Sequence, residues 1–203
     1  MSTRPLFLSI FLMLLALKAE GSERLWEMLA AQDAAGGGFL QEIYDEEDEL
    51  LERSSGRYAV LRPHFFRWEI EYPDRQRILV AGDVLWHYDI DLETATRRST
   101  GEEQQFAPLQ LLGGDLRDLR RQFQVTDLGE DRFRLQPTYP DAGFASVELQ
   151  WSGGLITAME VIDRSGQRLQ LSLTPERPTP PLEPADFAFS VPEGVEVYGD
   201  GEP

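Results

Sequence analysis

From Phe65 to Tyr72 the chain alternates strictly between two kinds of side chain. Phe66, Trp68, Ile70 and Tyr72 fall on one parity, all apolar or aromatic, while Phe65, Arg67, Glu69 and Glu71 make the other mostly charged. A period of two is that of a strand with one face on a core and the other towards water. The period recurs along most of the chain. Gln76 to Ala81 and Val84 to Ile90 flank Gly82-Asp83 as a hairpin, with Val84, Trp86, Tyr88 and Ile90 on one face. Phe39 to Tyr44 and Leu50 to Leu61 flank the acidic run Asp45 to Glu49, which lacks the glycine of a calcium loop and reads as a solvated turn. A short strand follows near Thr94 to Arg98. Five more are expected at Phe123–Thr126, Arg132–Pro137, Phe144–Trp151, Leu155–Asp163 and Arg168–Thr174, joined by turn chemistry such as Ser152-Gly-Gly154 and Arg164-Ser-Gly166. Five prolines between Pro175 and Pro184 exclude a central strand, so this stretch is a crossing loop before a short turn at Pro184 to Phe187. About ten or eleven short antiparallel strands in one domain imply a barrel or a strongly curved sheet.

Two segments break the period. Ser22 is placed to cap a helix from about Glu23 to Ala34, with Leu25, Trp26, Met28 and Leu29 on one side and Gly36-Gly37-Gly38 ending it. Between Gly101 and about Gln122 the pattern is helical again, with Phe106, Leu109, Leu111 and Leu112 before Gly113-Gly114, and Leu116 and Leu119 after. In a β protein with a cavity, these two helical segments are the candidate lid.

The first residues carry an address. Arg4 precedes Leu6 to Leu17, an apolar run interrupted only by Ser9 and too short to cross a bilayer comfortably, as in a signal peptide. Cleavage is expected after Gly21, or after Ala19, so residues 1–21 form the signal peptide and 22–203 a single exported domain; an N-terminal membrane anchor is the competing reading. The formal charge is -17, from 19 basic and 36 acidic residues, and Lys18 is the only lysine. That balance repels phosphate backbones and argues against nucleic acid as a partner.

Reactive chemistry is sparse. There is no cysteine, which removes disulfides, thiolate ligands and acylation of an N-terminal cysteine. His64 and His87 are the only histidines and sit among aromatic strand residues, where a structural role is expected. The sequence holds no G-x-S-x-G, H-E-x-x-H or P-loop. Asp89-Ile90-Asp91 reads as turn solvation rather than a metal pair, and Glu69 with Glu71 faces solvent rather than forming a glycosidase dyad. No catalytic residue, metal site or cofactor is expected.

The run Gly56-Arg-Tyr-Ala-Val-Leu-Arg62-Pro63-His-Phe-Phe66-Arg-Trp68, followed by Leu79-Val-Ala-Gly82-Asp83-Val-Leu85-Trp86-His-Tyr88, resembles the signature of the LolA family, periplasmic carriers of outer-membrane lipoproteins. Members show G-x-L-x-x-x-R-P-x-x-F-x-W and then a strand pair ending in D-G-x-x-L-W-x-Y. Here Tyr58 takes the apolar position, and Gly82-Asp83 reverses the usual order. Phe39-Leu-Gln41 is similar to the family's early F-x-Q, and Ala185 to Val195 is similar to its F-x-F-x-x-P-x-G-V close.

The resemblance implies a mainly β fold: an incomplete antiparallel barrel of about eleven strands enclosing a hydrophobic cavity covered by helices. It also implies a monomeric periplasmic carrier that makes no covalent change. The partners implied are acylated lipoproteins, an inner-membrane ABC-type releasing complex (LolCDE-like) and an outer-membrane receptor (LolB-like). The expected acyl-chain lining is Phe66, Trp68, Ile70, Trp86 and Tyr88, closed from the lid side by Trp26, Met28, Leu109 and Leu112. Arg62 is the expected lid latch: the family's corresponding arginine holds the helical lid, and a guanidinium offers five donors in a fixed fork. Pro63 confines Arg62 to extended backbone at the barrel mouth. Competing readings are a lipid- or lipoprotein-sensing module of the same fold in envelope stress signalling, an enzyme using Asp89 or Glu69, and a structural barrel with a filled core.

Overall fold

The computed structural model describes residues 21–100, 111–140, 142–179 and 181–199. Among them, one sheet contains β1 (Ala34–Tyr44), β2 (Leu50–Leu61), β3 (Phe65–Tyr72), β4 (Gln76–Ala81), β5 (Val84–Asp89) and β6 (Thr94–Ser99). It continues with β7 (Phe123–Gly129), β8 (Arg132–Pro137), β9 (Phe144–Ser152), β10 (Leu155–Asp163), β11 (Arg168–Glu176) and β12 (Glu196–Gly199). The spatial order is β12-β6-β5-β4-β3-β2-β1-β11-β10-β9-β8-β7. Neighbours are antiparallel except β12, which runs parallel to β6. The two end strands, β7 and β12, do not pair, so the sheet is open and the barrel incomplete.

This order dictates what covers each face. The chain begins mid-sheet, meanders out to β6, then must travel to the far edge to begin β7, returning by hairpins to β11 beside β1. On that journey residues 111–113 are helical, and α2 (Leu116–Gln122) follows, capped by Asp115, whose side chain accepts from the Arg117 N–H. Helix α1 (21–30) joins them. Leu25, Trp26 and Leu29 of α1 share one buried core with Leu111, Leu112 and Leu119, and with Phe66, Trp68, Phe133, Leu149 and Met159 of the sheet. After β11 the chain crosses on the opposite side, where a 3-10 turn at Pro184–Phe187 packs against β3 and β4 before β12 joins the edge.

Register assigns each residue to a face, because directly opposed residues project to the same side. Val60 opposes Phe66, Phe66 opposes Val80, and Val80 opposes Leu85. One step along, Tyr58 opposes Trp68, Trp68 opposes Ile78, and Ile78 opposes His87. In the other half Phe39 opposes Leu173, and Leu171, Met159, Leu149 and Phe133 follow across the sheet. These define the inner face, under the helices.

Several expectations are corrected. Among the described residues there are twelve strands where about eleven were expected; the addition is β12, whose residues are all exposed and which only the pairing with β6 reveals. Gly36-Gly37-Gly38 does not end a helix. It lies within β1, α1 is over by residue 30, and Ser22 is inside the helix rather than capping it. The reason is space: a Cβ on Gly37, at φ 141°, would lie 2.1 Å from the Thr174 carbonyl oxygen of β11. Tyr72 leaves the apolar parity of β3 and is 62% exposed, since the register shift at Ser55/Gly56 sets it opposite Ser55 rather than on the face of the Gly56–Ile70 pair. His64 is an exposed turn residue between β2 and β3 rather than a strand residue. Residues 1–20, including most of the expected signal peptide, and Phe106 and Leu109 lie outside the described residues.

Candidate functional site

Phe66 and Trp68 are each 1% exposed, at the centre of the inner face. Trp68 is stacked between Phe39, at a 3.7 Å centroid distance, and Phe66, at 5.8 Å. The glycine at position 56 opens that space: it opposes Phe39 on β1 and Ile70 on β3, and offers no side chain to either. Ile70 is half-buried and packs against the same core. Burying rings and aliphatic chains of this size contributes roughly 1.5–3 kcal/mol each relative to exposure. The surface is therefore apolar and, in this state, covered.

The covering layer is held differently from the sheet. Trp26 is buried, Met28 is partly buried against the core, and Leu112 is buried. Polar attachments fix the helices at their margins. Arg24 of α1 pairs with Asp127 and Asp131 around β7 and β8, and its guanidinium lies over the Phe133 ring. Arg120 of α2 pairs with Glu23 of α1 and lies over the Trp26 ring. These charges are substantially exposed, and such pairs contribute at most about 1 kcal/mol.

Arg62 is the exception. It follows the last residue of β2, and its Nη1 donates to the Gly114 carbonyl at 2.8 Å while Nη2 donates to the Leu111 carbonyl. The backbone joins in: Arg62 N–H donates to Asp33 and His64 N–H donates to Gly113. One strand end thus holds the carbonyls around residues 111–114, which a helix end leaves without intrahelical partners. Burial pulls the guanidinium pKa down to about 10, with the nearby Asp33 carboxylate acting in the opposite direction. Its Nε is buried without a partner. The arrangement can hold the helical layer closed, and it can be released without breaking any sheet bond.

Trp86 and Tyr88 are not brought to this face. On β5 it is Leu85 and His87 that follow Phe66 and Trp68 across the sheet, so Trp86 and Tyr88 project outward. There they meet Phe189, with centroids at 5.1 and 5.7 Å, beside a Phe65–Phe187 contact at 5.7 Å. Leu79, Ala95 and Phe187 are buried in this second, outer cluster under the C-terminal strap. Arg67 fastens the strap by donating to the Asp186 carbonyl at 2.9 Å.

The candidates for other chemistry are engaged in structure. Asp89 accepts from the N–H groups of Asp91 and Leu92, and Asp91 pairs with Arg75 at 2.7 Å. Glu69 pairs with Arg77 at 2.9 Å. His87 bonds Gln76 at 3.0 Å. Among the described residues no cluster of three or more His, Cys, Asp or Glu could hold a metal ion.

The site also contains residues that the expected lining left out. Phe39, Phe133, Val147, Leu149 and Trp151 extend the inner face across β1, β8 and β9. Their signal was present as period-two apolarity in Val147, Leu149 and Trp151, but nothing local says that β9 shares a face with β3.

A family model described as outer membrane lipoprotein carrier protein LolA matches residues 31–190. An outer-membrane lipoprotein carrier protein of Azotobacter vinelandii is 33% identical over 178 residues, 86% of each chain. One from Halorhodospira halophila is 35% identical over 162 residues, 80% of this chain and 77% of that protein. Among solved structures, a LolA superfamily protein from Nitrosomonas europaea superposes with a TM-score of 0.53 at 14% identity, covering 85% of this chain and 97% of that one. A conserved protein of Thermus thermophilus gives 0.56 at 14% identity, covering 89% and 98%. At that identity the structures speak for the fold alone. Among the described residues no helix is long and apolar enough to cross a membrane. With the family model spanning most of the chain and relatives a third identical over at least four fifths of it, this chain belongs to the LolA family of outer-membrane lipoprotein carrier proteins.

Proposed function

We propose that this protein is exported, loses residues 1–21, and works as a periplasmic monomer. It takes acylated lipoproteins from an inner-membrane ABC-type releasing complex and hands them to an outer-membrane receptor, with no covalent change. The observation that carries this reading is the inner face itself: Phe39, Phe66 and Trp68 form an apolar surface under helices whose carbonyls at Leu111 and Gly114 are bonded by Arg62 at the end of β2. The lipoprotein-carrier family supports it.

The physical need is large. Two or three acyl chains, each of roughly 16 carbons, at about 0.8 kcal/mol per buried CH₂, face a transfer cost on the order of 20–35 kcal/mol in water. A carrier must cover that surface and still give it up. Displacing a helical layer from an open sheet meets both demands, because the sheet keeps its hydrogen bonds while apolar area is exchanged for apolar area. Phe66, Trp68 and Ile70 would contact the chains, Trp26, Met28, Leu109 and Leu112 would close over them, and Arg62 would set when the layer is shut. The acidic surface would steer the protein towards basic docking surfaces.

Depleting the protein from its host and following a reporter outer-membrane lipoprotein tests the reading. The reporter is expected to accumulate in the inner membrane; unchanged delivery to the outer membrane would overturn it.

A further inference from the structure

Gln41 on β1 stands directly opposite Ser54 on β2, on the inner face, two residues beyond the Phe39–Gly56 pair. Gln41 is 8% exposed and Ser54 1%, yet Gln41 Oε1 and Ser54 Oγ have no hydrogen-bond partner. Buried polar atoms are normally bonded, and an orphan is a cost to folding that two apolar side chains of similar shape would avoid. Here two orphans face each other within an apolar surface. Leu171 flanks Gln41 on the other side, and the Phe39–Trp68 stack lies one step along.

The backbone keeps Ser54 open on its other flank. A bulge at Ser55/Gly56 shifts the β2–β3 register, and pairing ends at Ser55 with Tyr72, so Ser54 has no cross-strand neighbour on β3. The bulge is fixed by glycine, since a Cβ at position 56 would lie 1.9 Å from the Glu69 carbonyl oxygen. Along β2, Ser54 and the Arg62 latch are eight residues apart, roughly 25 Å of strand at about 3.3 Å per residue. That span is long enough to hold one extended acyl chain.

We propose that Gln41 and Ser54 form a polar seat in the acyl-binding face, occupied by the amide or ester linkage through which a fatty acyl chain joins its cargo. The proposal rests on the carrier reading above and names what its site recognises besides hydrocarbon. The Gln41 carbonyl oxygen can accept an amide N–H, and the Ser54 hydroxyl can donate to an ester or amide carbonyl. A bare hydrocarbon satisfies neither atom. The seat is noncovalent, and it places the head of the acyl group at the end of the inner face remote from the latch.

The test uses the mature protein, a Gln41→Leu/Ser54→Ala variant and Ser54→Ala alone. Three probes are titrated: a tripalmitoyl lipopeptide acylated on its N-terminus, a dipalmitoyl lipopeptide with a free N-terminus, and a fluorescent alkane without a carbonyl. The double variant is expected to bind lipopeptide about tenfold more weakly, the cost of losing one or two hydrogen bonds at a dry site. Alkane binding is expected to stay the same and the melting temperature to hold or rise. Loss confined to the N-acylated probe assigns the amide, and loss with both lipopeptides assigns the ester. Unchanged lipopeptide binding, an equal loss with the alkane, or a lower melting temperature in both variants would overturn the seat. A parent protein that binds none of the three probes would overturn the carrier reading itself.

Discussion

Arg62 Nη1 lies 2.8 Å from the carbonyl oxygen of Gly114, so the end of β2 is bonded to the helical layer. Removing that bond should free the layer while sparing the sheet. In Arg62→Leu, two opposed effects nearly cancel: the carbonyls of Leu111 and Gly114 lose their donors, and a charge no longer has to be buried. Stability is expected to change by no more than about 1 kcal/mol. Amide exchange of His64, whose N–H donates to Gly113, should accelerate about tenfold or more as the layer opens. Unchanged exchange would remove the latch. Arg62→Lys should be intermediate, because one ammonium cannot reproduce the fork.

The same arginine has a defined pH signature. Its folded pKa, about 10, lies below the ordinary guanidinium value, so the unfolded chain holds the proton more tightly. Arg62 therefore works against folding wherever it is charged, and that penalty is relieved as pH rises from about 10 towards the unfolded pKa. The stability difference between the parent and Arg62→Leu should be flat from about pH 6 to about pH 9 and shift in favour of the parent only above that. Denaturant titrations across the series check this; a slope at neutral pH would contradict it.

Tyr58 behaves in the opposite sense. Burial, reinforced by the Glu176 carboxylate, pushes its phenol up to about 12. Its contribution is fully present below the unfolded pKa near 10 and is lost as pH climbs through the folded value. Its hydroxyl is buried without a partner, so Tyr58→Phe should fold at least as well at neutral pH. Above pH ~10 the variant should gain on the parent, by on the order of 2 kcal/mol at full ionisation. Alkaline unfolding followed by circular dichroism reads this directly, and parallel curves would contradict it.

Phe189 bridges Trp86 and Tyr88 on the outer face. Phe189→Ala should loosen the strap and cost about 1–2 kcal/mol as a half-buried ring is removed. Acyl-probe binding should remain within about twofold of the parent, because the change leaves the inner face untouched. A large binding loss with the sheet intact would mean that the outer cluster shares in cargo binding.

How much of this was legible follows from what a period of two contains. Alternation located β8 and β10 to the residue, at Arg132–Pro137 and Leu155–Asp163, since turn residues bound both. It marks two faces of a strand but not which is inside. On β5 the more aromatic parity, Trp86 and Tyr88, is the outer one, because Phe189 arrives from a hundred residues later to cover it. Only register places His87 on the inner face, opposite Ile78. The glycine triplet misled for a similar reason: Gly37 answers to the Thr174 carbonyl of β11, not to the helix before it. Arg62 was singled out through the resemblance of Arg62-Pro63 to the family's R-P pair, and its bonds to the Leu111 and Gly114 carbonyls come only from the structure, because they join segments some fifty residues apart. Gln41 stood out only as the end of the F-x-Q match and Ser54 not at all, because the pair is defined by the β1–β2 register and by the absence of bonds.

Photocross-linking to an acylated lipoprotein tests the central claim most directly, by reading which face of the sheet the acyl chains touch. p-Benzoylphenylalanine placed at position 66 keeps an aromatic ring on the inner face, and at position 86 it sits on the outer face under Phe189. Loaded with a lipoprotein carrying isotopically labelled acyl chains, the variant at 66 should cross-link to the label and the variant at 86 should not. Labelled adducts from 86 with none from 66 would show that the cargo rides outside the helical cover, and would contradict the inner-face carrier.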